Sequence, residues 1–93
     1  MYSHDQAELL AAKALGWLAK DSDILVQFLG WSGADIADLR KASTSPEMLL
    51  SVLDFILLQD DWVIAASDDM GIRPQNFATL RASLPGGAES HWT

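Results

Sequence analysis

The chain holds two histidines, His4 and His91, one near each end. Nucleophilic catalysis needs a base held against its nucleophile, and chain ends hold nothing in fixed geometry. No catalytic residue is therefore assigned, and an enzyme is not expected. Cysteine is absent, which removes disulfides and thiolate metal ligands. His4 and Asp5 are adjacent, a poor ligand spacing on a helix. Asp21-x-Asp23 and Asp68-Asp69 lack the Gly and Glu that complete a calcium loop. Gly86-Gly87 follows the last helical segment instead of opening one, so it is no phosphate cradle. Neither a metal nor a cofactor is expected.

Three sets of side chains remain. Asp54 interrupts the most apolar segment and is the one candidate for a special acid. Its plainer readings are a solvent stripe with Glu47 and Ser51, or a cap for a neighbouring helix end. Asp68 and Asp69 fall near a helix C-terminus, where the dipole disfavours them. They form a candidate contact surface for a basic partner, or simply a solvated face. The chain has four tryptophans. Trp17 reads as core and Trp92 lies in the tail. Trp31, beside Gly33, and Trp62, at a helix start, are core or partner-binding anchors, since tryptophan is enriched at binding hot spots.

Helical segments must position these groups. The first covers residues 4–20, with Ser3 and Gln6 at capping-box spacing and Leu10, Ala14, Trp17 and Leu18 on one face. The second covers residues 22–32, capped by Asp21 or Ser22 and stopped by Gly33. A short third helix covers residues 36–42, with Asp35 and Asp38 as a weaker box. The fourth starts at Pro46 behind the cap Ser45 and carries Leu49, Leu50, Val52, Leu53, Phe55, Ile56 and Leu57. Being apolar around most of its circumference, it belongs inside. The fifth runs from Asp60 or Asp61 to Met70, with Gly71 as its stop. Segments 46–58 and 61–70 could be one bent helix or two. Pro74 opens a last helix to about Ser83, and Pro85-Gly86-Gly87 ends the fold. Residues 1–85 are expected to form a single helical domain and 86–93 a flexible tail.

The 93 residues carry 13 acids and 6 bases, a net charge of −7, and 49% are hydrophobic. That is enough apolar material for one packed core. The negative field repels phosphate backbones and anionic membranes. No apolar run approaches the roughly 20 residues of a membrane span, and no secretory signal is visible, so a cytoplasmic location is expected. Two segments echo one another: Gly33 precedes Leu39 by six residues as Gly71 precedes Phe77, and Phe28 and Ala66 lie five residues before each glycine. The unit is a helical hairpin or a helix-turn-helix. DNA binding needs many Lys and Arg contacts to phosphate, and these units offer only Arg40, Lys41, Arg73 and Arg81. The basic footprint of a nucleic-acid binder is missing.

Several short motifs occur in order: Ala11-Ala12-x-Ala14-Leu15-x-Trp17-Leu18-Ala19, Phe28-Leu29-x-x-x-Gly33, Asp35-x-x-Asp38-Leu39-Arg40, Val52-Leu53-Asp54-Phe55-Ile56-Leu57, Gly71-Ile72-x-Pro74 and Ala82-x-Leu84-Pro85-Gly86. Over about residues 6–87 the chain resembles a domain-of-unknown-function family of small alphaproteobacterial helical proteins, with Leu53-Asp54-Phe55 the most distinctive piece. Ile36 stands where the family's third helix commonly opens with proline. The resemblance implies an uncharacterised, cytosolic, helical protein and brings no activity, cofactor or catalytic residue with it.

The fold expected is an all-α, compact orthogonal bundle of five to six short helices around the central apolar helix. The function expected is a non-enzymatic protein-interaction or adaptor domain with an unknown protein partner, a basic one being a candidate, or with a second copy in a homodimer. A helix-turn-helix-like nucleic-acid-binding protein ranks second and an enzyme using Asp54 last.

Overall fold

Short-range polar signals fix where four of the six helices begin. The computed structural model describes residues 2–40 and 45–87. These form α1 (His4–Lys20), α2 (Ser22–Ser32), α3 (Ile36–Arg40), α4 (Pro46–Ile56), α5 (Asp60–Met70) and α6 (Phe77–Ser83), the last entered through a 3₁₀ turn at Pro74–Asn76. No strand occurs among the described residues. Ser3 Oγ accepts from the Gln6 amide at 3.1 Å while Gln6 Oε1 accepts from the Ser3 amide at 3.1 Å, a complete capping box. Asp21 Oδ1 accepts from the Asp23 and Ile24 amides at 3.0 and 3.2 Å. Asp35 and Asp38 cap each other's backbone at 2.9 and 3.0 Å. Ser45 Oγ accepts from the Met48 amide at 3.3 Å. The third helix is described as far as Arg40. Residues 41–44, including Lys41, lie outside the described residues.

Segments 46–58 and 61–70 are two helices. After Ile56 the backbone tightens, with the Leu58 amide donating to the Phe55 carbonyl at 3.1 Å and Gln59 to Ile56 at 3.2 Å. Gln59 then turns extended, at φ −135° and ψ 126°. Asp60 and Asp61 restart the chain as a helix, where carboxylates suit the positive end of the dipole. α2 and α5 both stop at a left-handed glycine, Gly33 at φ 76° and Gly71 at φ 78°, a conformation that side chains with Cβ resist.

The centre is shared by two helices. α4 packs on α1, α2, α5 and α6, and α1 packs on the same three neighbours besides α4. α1 does so through Ala7, Ala11, Ala14 and Leu18, all fully buried. This face is turned from the one that the large residues suggest, because Leu10 and Trp17 are only partly buried. Small side chains let helix backbones approach closely, so the alanines take the seam and the bulky residues flank it. α4 contributes Leu49, Val52, Leu53, Phe55 and Ile56 to the core, α2 Phe28, and the C-terminal segment Phe77, Leu80 and Leu84. The radius of gyration, 12.1 Å, matches the roughly 12 Å of a compact chain of this length. α3 stands apart: it buries no residue and makes only slight contact with the other elements.

Candidate functional site

The two tryptophans read as core or as partner-binding anchors come together, and Phe55 joins them. Phe28 and Trp31 lie one turn apart on α2, so they share a face. Phe55 sits in the last turn of α4, edge-on to Phe28 at 5.3 Å between ring centroids and 5.5 Å from Trp31. The break at residues 57–59 swings α5 so that Trp62, in its first turn, returns to Phe55 at 4.8 Å. These separations fall in the range where aromatic pairs attract beyond simple burial. The cluster runs from core to surface. Phe28 is fully buried, Phe55 is 3% exposed, and Trp31 is 49% exposed. Leu58, in the break leading to Trp62, is 59% exposed. Phe55 reads from the sequence as core alone; its position seven residues before Trp62, across a helix break, was the available sign of its second role.

Asp68 and Asp69 lie elsewhere. They border an open concavity of about 560 Å³ with Trp17, Lys20, Asp21 and Ile24. Trp17 is therefore half-buried at a surface depression as well as packed on the core. Lys20, in the last turn of α1, places its Nζ 3.1 Å from Asp69 Oδ1. The carboxylate at the unfavourable end of α5 thus gains a cation from another helix. Both side chains are well exposed, so the pair contributes little stability.

Asp54 meets a partner 27 residues away. Arg81 Nε donates to Asp54 Oδ1 at 2.6 Å and Nη2 donates to Oδ2 at 3.2 Å, a two-point clamp. Arg81 Nη1 donates to the Gly87 carbonyl at 3.0 Å. The hydrogen bond that Arg81 donates to Asp54 raises the guanidinium above its ordinary pKa, against the opposing effect of burial. One arginine therefore ties α6 to α4 and pins the closing turn, in which Gly87 is buried. A Cβ at Gly87 would run into the Arg81 and Leu84 carbonyls, so the chain passes through a space only glycine fits. Of the two glycines that the sequence places in the tail, Gly87 is buried against the fold and Gly86 is exposed; Trp92 and His91 lie outside the described residues.

In the second echo unit α5 meets the 3₁₀ turn that opens α6, α6 rests on α1 and α4, and its Arg81 is engaged by Asp54. A smaller apolar groove of about 240 Å³ lies between α1, α2 and α3, lined by Leu15, Ala19, Leu25, Ile36, Leu39 and Arg40. No sequence signal had marked it, because its walls come from three elements. Among the described residues no three His, Asp or Glu side chains are placed to share a metal ion, and no helix is long and apolar enough to cross a membrane.

Fold and surface together define a small helical domain with an aromatic cluster open on one side. The chain belongs to the family described as protein of unknown function (DUF3572), whose model matches residues 4–87. No curated protein and no solved structure matches the chain.

Proposed function

We propose that this is a cytoplasmic, non-enzymatic protein-interaction or adaptor domain whose contact surface is centred on Trp31. The observation that carries the reading is the Trp31–Phe55–Trp62 cluster. Its inner rings are held by the core, and its outermost ring leaves half its surface in water. A rigid, pre-positioned tryptophan loses little conformational freedom on contact and offers a large apolar area. That is the profile of an interface hot spot, where a few aromatic residues supply most of the affinity.

Affinity capture with the full chain and with Trp31→Ala as paired baits tests it. A protein recovered with the parent chain and lost with a folded Trp31→Ala chain supports the reading. Identical recoveries from both baits would remove Trp31 from any interface.

A further inference from the structure

Trp62 follows directly on Asp60 and Asp61, and all three share the first turn of α5. Both carboxylates are exposed. The two ion pairs among the described residues, Lys20–Asp69 and Arg81–Asp54, use neither of them. The α5 edge of the aromatic cluster is thus next in sequence to two exposed acids that no ion pair among the described residues uses, on a chain of net charge −7. From this juxtaposition we infer that the Trp31–Phe55–Trp62 surface receives a cationic, amphipathic protein segment, whose apolar side chains cover the rings and whose Lys or Arg groups meet Asp60 and Asp61.

Charge complementarity selects this occupant. A Lys or Arg over an indole face is attracted by the ring quadrupole, and the neighbouring carboxylates add to that attraction. A second copy of the chain brings the same two acids and the same net charge, so like charges would face one another. A nucleic acid brings phosphates to a surface that repels them. The segment's apolar side chains are needed as well, because Leu58 and Trp31 present hydrophobic area that charge alone leaves wet.

This rests on the interaction reading above, and the test separates the two. Three labelled synthetic peptides of about 18 residues, five helical turns, share one apolar face of Leu and Ala. Their polar faces carry Lys, Gln or Glu. Binding to the full chain is followed by fluorescence anisotropy. The Lys peptide is expected to bind about tenfold or more tighter than the Gln peptide, with the Glu peptide weakest. Trp31→Ala should weaken the Lys peptide by about tenfold, and the Asp60→Asn/Asp61→Asn chain should bring it to the level of the Gln peptide. Asp68→Asn/Asp69→Asn, which removes as much charge from a different surface, should change it by less than about twofold. Equal losses from the two Asn pairs would mean attraction to net charge alone and would overturn the assignment. Gln or Glu peptides binding as tightly as Lys, yet still losing to Trp31→Ala, would remove the cationic partner and leave the interaction surface standing. Binding indifferent to Trp31→Ala would remove both. A dimer that Trp31→Ala dissolves, seen by light scattering, would seat a second copy there and overturn the cationic segment.

Discussion

Asp54 and Phe55 are consecutive on α4, about 100° apart around its axis, and they face opposite kinds of surroundings. Asp54 meets a polar region that is closed: its carboxylate, the Arg81 guanidinium and the Gly87 carbonyl satisfy one another. Phe55 meets an apolar region that is open, where a cluster of tilted rings continues outward to a half-exposed Trp31. The first arrangement completes a fold and leaves little for a partner to gain. The second leaves hydrophobic area in water, which a folded chain retains at no benefit to its own stability. Adjacent residues of one motif thus serve different ends, Asp54 closing the bundle and Phe55 supporting a partly exposed aromatic cluster.

Truncating the ring at the root of the open side should have the largest effect. Phe55→Ala removes a buried side chain that touches Phe28, Trp31 and Trp62, and should cost about 3–5 kcal/mol in denaturant unfolding. A loss well under that would mean the cluster collapses to fill the space, and that its rings are not rigidly placed.

Next comes the closed side. Gly87→Ala forces a methyl group against the Arg81 and Leu84 backbone carbonyls, which cannot yield as a flexible side chain would. The expected cost is about 1–3 kcal/mol. The same change at Gly86, where the nearest group is the tip of Leu50, costs only the strain of its left-handed φ of 85°, about 1 kcal/mol. Equal effects at the two glycines would show that the closing turn is not held as described.

Trp31→Ala should cost about 1–2 kcal/mol, since only half of its surface is withdrawn from water. A stability loss matching that of Phe55→Ala would make Trp31 a core residue and weaken its reading as an interface anchor.

How much of this was legible in the sequence follows from the range of each interaction. Ser3 with Gln6, Asp21 with Ile24, Ser45 with Met48, and Gly33 and Gly71 at their stops all act within one helical turn, so residue type and spacing locate them. The apolar run of α4 announces its burial for the same local reason. The burial of Ala7 and Ala11 was not legible, because which face of α1 turns inward depends on how closely α4 approaches. The pairing of Asp54 with Arg81 spans 27 residues, and nothing near either one points to the other. Trp31 and Trp62 could be picked out from type and position, as core residues or as candidate anchors. Their meeting at Phe55 depends on the break at residues 57–59, whose angle no local pattern sets.

Asp54→Asn should have an effect as small as the change at Gly86 and the greatest power to discriminate. It keeps the shape of the side chain but removes the charge that Arg81 Nε and Nη2 address. A buried charged hydrogen bond is worth about 1.5–3 kcal/mol. Here both side chains are partly exposed, at 29% and 40%, so water replaces much of what is lost and about 1 kcal/mol is expected. If the two sides of α4 are independent, the double variant Asp54→Asn/Trp31→Ala should lose the sum of the single losses to within about 0.5 kcal/mol. Peptide binding at the aromatic side should also be unchanged by Asp54→Asn alone. A coupling larger than that would mean that the clasp and the open cluster act as one unit, with α4 transmitting a change at Arg81 to the rings around Phe55.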